Sequence, residues 1–215
     1  MRLLIINHFP LEGSGSGVYT KNIAKRLSDR GIDVKVIVID NHKVNNTYPF
    51  ALRTIIYPQF PCFTTHPKSN NTFYNLSPEE MNEYFHLFRK TINEEIKNFN
   101  PDLIHCQHLW VAPFVVQEST IPYVITAHGT DIKGFKKDRR YRNAAIKGAQ
   151  GAEKIITISK KVKEQVKQYY NIEENKLELI WNGFDENLFQ PKNISAQELW
   201  GKILPEKKDF KPNKI

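Results

Sequence analysis

Cysteine is nearly absent: the 215 residues hold two, Cys62 and Cys106. Two cysteines so far apart build neither a disulfide framework nor a zinc finger. No apolar run approaches the ~18 residues of a membrane-crossing helix, and the apolar stretch at 3–6 is too short for a signal peptide. Glycine and proline, 10 and 12 in number, exclude collagen-like and low-complexity chains. Acid is in deficit, with 23 Asp+Glu against 31 Lys+Arg and a net charge of +8. These absences predict a cytosolic globular protein that buries a core without staples. The basic balance favours anionic partners: phosphorylated ligands, nucleic acid or acidic lipid.

What the chain does have is alternation. Short apolar runs at 3–6, 34–39, 102–106, 123–127, 154–158 and 177–180 read as strands. Between them lie helical patterns at 18–30, 111–118, 139–151 and 159–170. A long helix opens on Ser77-Pro78-Glu79-Glu80, a capping box with proline in the first turn, and stops before Pro101. Alternating elements predict an α/β fold, a Rossmann-like parallel sheet with helices on both faces. Residues 41–75 break the rhythm, rich in proline and aromatics with one strand at 52–57, and read as a long functional or mobile loop.

In an open parallel sheet, ligands bind beyond the strands' carboxyl ends. His8, His42, His105, His108 and His128 all stand at or just past such ends, which predicts one polar rim. The loop Gly13-Ser14-Gly15-Ser16-Gly17 lies between the first strand and first helix. Alternate glycines permit positive φ and bring N–H groups close to a phosphate; the other reading is a flexible turn. The loop is not a Walker sequence, and it misses G-x-G-x-x-G because position 18 is Val18. Asp40, ending the second strand, keeps a dinucleotide-binding module open as an alternative.

His128-Gly129-Thr130-Asp131 places an imidazole at a strand end with a carboxylate three residues on. It serves either acid–base or hydrogen-bonding chemistry, or the loop itself. Ser159 reads as a helix N-cap that also presents its hydroxyl to the cleft. His105 and His108 are a poor ligand set, so no metal is expected. The basic run 133–147 is either a solvated face or a contact for anionic headgroups. No nucleic-acid motif accompanies it, so nucleic acid is not expected as a partner.

Several motifs follow one another in order: His8 with the glycine loop, residues 101–108, 122–129 and 155–159, and Trp181-Asn182-Gly183-Phe184-Asp185 through Phe189. Together they resemble the N-terminal half of group 1 (family 4) glycosyltransferases over about residues 2–191. The resemblance implies a GT-B enzyme: two Rossmann-like domains across a cleft, retention of anomeric configuration, and a nucleotide-sugar substrate with no cofactor. It implies that Gly15, Ser16 and Gly17 contact the donor diphosphate and that His128 is the catalytic residue near the transferred sugar. His8, His108, Asp131, Ser159 and Asn182 are expected to line the substrate cleft. Residues 1–191 would then be the acceptor-side domain, taking a carbohydrate or lipid-linked acceptor for bacterial cell-envelope glycan synthesis. Residues 192–215, with Lys207, Lys208, Lys211 and Lys214, would lead to a missing C-terminal donor domain, leaving this piece inactive alone. The expected location is the cytoplasm, in peripheral contact with the membrane's inner face.

Overall fold

Seven short runs of Ile, Val and Leu form strands because residues buried on both sheet faces need no polar alternation. They are β1 (Arg2–Asn7), β2 (Asp33–Asp40), β3 (Ala51–Ile56), β4 (Leu103–Gln107), β5 (Tyr123–Ala127), β6 (Lys154–Thr157) and β7 (Leu177–Leu179). The computed structural model describes residues 1–44, 47–187, 189–191 and 193–203. All seven strands pair in parallel, in the order β3-β2-β1-β4-β5-β6-β7. Each expected strand is present, displaced at its ends by a residue or so.

Alternation along the strands separates two apolar layers. Leu4 and Ile6 of β1, Ile37 of β2 and Ile104 of β4 face a large core, while Leu3, Ile5 and Val36 face a smaller one. The smaller layer is covered by α1 (Gly15–Ser28) through Ala24. The larger is covered by α2 (Pro78–Phe99), α3 (Ala112–Val116), α5 (Arg142–Gln150) and α6 (Lys160–Tyr170). Helices therefore flank both faces, as the alternation predicts.

The capping box of α2 forms as read: Glu80 N–H donates to Ser77 Oγ at 3.2 Å, and Ser77 N–H to the Glu80 carboxylate at 2.7 Å. Helix α4 (Thr130–Lys137) was not anticipated, because its interior glycine and lysines hide any apolar period. Helix α1 begins at Gly15, three residues before the expected start, because Ser14 caps it. Helix α7 (Ala196–Ile203) was also not anticipated.

Residues 57–76 are packed against the body of the fold. Phe60, Cys62 and Phe73 are buried in the large core, and Phe73 N–H donates to the Cys62 carbonyl at 3.1 Å. Arg140 fastens this segment from the other side, donating to the carbonyls of Phe73, Tyr74 and Leu76. The chain divides into two units, Met1–Trp181 and Asn182–Ile215. The expectation for the lysine-rich end, 204–215, lies outside the described residues.

Candidate active site

Strand order reverses at β1, which pairs with β2 on one side and β4 on the other. Loops leaving β1 and β4 diverge there, and a crevice forms beyond the strand ends. Two kinds of group meet at that place, the start of α1 and a stack of imidazoles.

The glycine loop is shorter than its sequence suggests. Only Gly13 has positive φ, +87°; Gly15, Ser16 and Gly17 are already the first turn of α1. Ser14 Oγ accepts from Gly17 N–H at 3.0 Å, and the Ser14 carbonyl accepts from Val18 N–H at 3.1 Å. The amides of Gly15 and Ser16 precede the first helical hydrogen bonds and stay available at the helix's positive end. Gly17 is therefore corrected as a phosphate ligand, since its N–H is taken. Its glycine is required by packing: a Cβ there would lie 2.1 Å from the Pro10 carbonyl oxygen. At Gly15 a Cβ meets nothing within 4 Å.

The rings of His8 and His108 are 4.6 Å apart between centroids, and those of His108 and His128 are 4.7 Å apart. His8 and His108 are fully buried; Phe9 packs against both rings, and Phe63 and Phe73 of the proline-rich segment pack against His8. This corrects the expectation of a polar rim, since neither ring is exposed. His128 is half-buried and stands at the accessible end of the stack. Its Nε2 lies 2.9 Å from Gln107 Oε1, and its ring meets Tyr19 of α1 edge-on at 5.2 Å. An amide oxygen only accepts, so Nε2 carries the hydrogen and Nδ1 remains an acceptor. Gln107 and Tyr19 were missed as site residues. The signal for Gln107 was its place at the end of β4, beside the strand that ends in His128.

Burial pushes the imidazoles down. Desolvation holds His108 at about 3 and His105 at about 4. His8 lies well below the usual range, from burial and then from His108 and His128. His128 is lowered by burial and by His108, with Asp131 pulling the other way. The stack is neutral at physiological pH, so His128 offers hydrogen bonding and not positive charge. His105 stands apart from the stack, its Nε2 2.8 Å from Thr126 Oγ1. His42 is exposed at the end of β2.

Asp131 lines a small pocket with Phe63, Phe73 and Trp110 and is itself almost wholly buried. Its carboxylate is buried and accepts from Gly129 N–H at 2.8 Å and Leu109 N–H at 2.9 Å. It thereby ties the turn after β4, where His108 and Val111 hold positive φ of 74° and 59°, to the turn bearing His128. Burial raises its carboxyl, and the backbone donors oppose that rise. Ser159 caps α6, accepting from Val162 N–H at 3.2 Å. Asn182 is exposed and belongs to the second unit.

Other candidates find structural uses. Asp40, which kept a dinucleotide reading open, accepts from Lys68 Nζ at 2.8 Å, so the residue that would hold a ribose is occupied. In the basic run, Arg140 and Arg142 donate to backbone carbonyls, and Lys136 and Lys137 lie over Tyr169 and Tyr74 at 4.5 and 3.9 Å. Both cysteines are buried. Among the described residues no group of three or more His, Cys, Asp or Glu is placed to hold a metal ion. No described helix is long and apolar enough to cross a membrane.

Comparison with known proteins identifies the family and the fold. The family described as Glycosyltransferase Family 4 matches residues 13–188. An uncharacterized glycosyltransferase of Methanocaldococcus jannaschii is 26% identical over 206 residues, covering 87% of this chain and 48% of that protein. Among solved structures, a sucrose-phosphate synthase from Thermosynechococcus elongatus superposes with a TM-score of 0.67 at 16% identity, over 89% of this chain and 50% of that one. The Anabaena protein HepE in complex with UDP gives 0.60 at 17% identity, over 94% and 50%. The chain thus spans about half the length of these relatives. By sequence and by its Rossmann-like sheet of the GT-B kind, the chain belongs to glycosyltransferase family 4.

Proposed function

We propose that this chain is the acceptor-side half of a retaining glycosyltransferase that moves a sugar from a nucleotide donor to a carbohydrate or lipid-linked acceptor. One observation carries the reading: free amides at the start of α1 and the accessible end of the imidazole stack meet through Tyr19 and His128, 5.2 Å apart, beyond the switch point of the sheet. Gly15 and Ser16 neutralise charge growing on the leaving diphosphate, which is the chemistry a helix N-terminus performs without reorganisation. His128, its Nε2–H fixed by Gln107, presents Nδ1 to a hydroxyl of the donor sugar. Asp131 and His108 act from behind, holding the turns. The uridine nucleotide of the Anabaena neighbour supports a nucleotide-sugar donor, bound largely by a second domain following residues 192–215. The reaction takes place on the cytoplasmic side, and residues 1–215 alone are inactive.

The test is His128→Ala in a protein that includes both halves. Loss of a positioned hydrogen-bonding group at a charge-developing site costs ~10²–10³ in rate. A variant with unchanged kcat/KM overturns the assignment.

A further inference from the structure

Away from the imidazole stack, a groove of about 900 Å³ runs between α2 and the α3–α5 pair. Its floor is aromatic, made by Phe85, Phe114 and Tyr141, all half-buried. Its α2 wall is one helical stripe, from Pro78 through Asn82, Phe85 and His86 to Arg89, a rise of ~16 Å. α2 and α5 lead into the parallel strands β4 and β6, so their first turns, which line the groove, lie toward the carboxyl-end edge of the sheet that carries the site.

Rings connect the two places without a break. Phe85 lies 5.4 Å from Phe114 and 5.6 Å from Trp110, Trp110 lies 5.9 Å from Phe73, and Phe73 lies 5.9 Å from His8. At the groove's upper end, Tyr141 stands 5.0 Å from Trp110. The Tyr141 hydroxyl and the Trp110 indole N–H are both buried without a partner; Tyr141 lines the groove and, together with Trp110, a small adjoining cavity.

The polar groups of the groove choose the ligand class. Arg89 is spent on Glu118, at 2.9 and 3.0 Å, and Arg140 on Asp138 and three carbonyls. The side chains of Asn82 and His86 are exposed and make no hydrogen bond to a described residue. With its cations already paired, the groove does not select an anion. Aromatic faces beside the unpaired amide of Asn82 and imidazole of His86 match a neutral sugar, apolar on its C–H faces and rich in hydroxyls at its edges. An acyl chain would leave these polar groups unmet beneath it.

We infer that this groove binds the growing oligosaccharide of the acceptor, several sugars distant from the reacting end. The inference rests on the reading of this half as the acceptor side and adds to it a place and a chemical class.

The test is an array of neutral oligosaccharides, from disaccharide to hexasaccharide, probed with the labelled 215-residue chain, with bound glycans then titrated. Longer members are expected to bind more tightly than their own disaccharides. Phe114→Ala and, separately, Asn82→Ala with His86→Ala are expected to weaken binding about tenfold, the ratio set by ~1.4 kcal/mol. The second variant alters exposed side chains and leaves the core intact, so its result stands even if Phe114→Ala fails to fold. Glycan binding unchanged in the exposed-rim variant overturns the groove and leaves the acceptor reading standing. Absence of binding to every array glycan overturns the groove inference and leaves a lipid-linked acceptor standing; binding to phosphatidylglycerol vesicles tested in parallel would likewise overturn it, by giving the groove to a lipid surface.

Discussion

Acidification should unfold this protein in a pH window set by its imidazoles. His8, His105, His108 and His128 all have lowered affinity for protons in the folded chain, chiefly because burial disfavours the charged ring. The unfolded chain titrates each near 6.5. A group with a depressed base pKa contributes stability that is complete above its unfolded value and is lost as pH falls below it. At pH 5.5 each unfolded imidazole is ~0.9 protonated, while the folded ones stay neutral. Asp131, whose carboxyl burial pushes up, works in the opposite direction. The four imidazoles by themselves give a difference of about 3.6 protons, or about 5 kcal/mol per pH unit. Ordinary domain stability is ~5–15 kcal/mol, so one unit removes a large share of it. Urea denaturation at pH 7.0, 6.0, 5.5 and 5.0 measures the slope directly. His108→Asn keeps a residue tolerant of the positive φ and removes one titrating ring, so its slope should be shallower by about 1.2 kcal/mol per unit. A wild-type slope below ~1.4 kcal/mol per unit, the value of a single proton, would refute the buried neutral stack.

Two glycine contrasts test the geometry of the site and its cover. Gly17→Ala drives a Cβ to 2.1 Å from the Pro10 carbonyl, backbone that cannot swing aside, whereas Gly15→Ala meets open space. Thermal unfolding should show Gly17→Ala destabilised by ~1–3 kcal/mol and Gly15→Ala unchanged or slightly stabilised, since alanine is the better helix former. Equal effects would contradict the early start of α1. At Gly134 a Cβ would sit 2.2 Å from the Phe63 ring, so Gly134→Ala should push the proline-rich segment off α4. Limited proteolysis should then cut within residues 57–76, and resistance equal to wild type would count against that packing.

Much of the fold was legible beforehand because its determinants are local. Ser77 and Glu80 close their capping box within one turn, and the runs at 3–6 and 34–39 need no partner to be recognised as buried strands. The order of motifs was equally local, and it led to the family. The site was less legible. His8, His108 and His128 were picked out one by one from strand ends, but nothing local says that two are sealed and one is reachable.

That difference follows from contacts between distant segments. The sequence by itself determined the α/β alternation, the helix caps and the clustering of imidazoles past the strands, since period and turn chemistry act over a few residues. Only the tertiary structure decided how each is used. Lys68 occupies Asp40 from 28 residues away, Arg140 holds carbonyls 64 to 67 residues away, and Phe63 and Phe73 roof His8. Burial and unpaired polarity belong to such long-range packing. They turn a row of histidines into a buried stack with one accessible end.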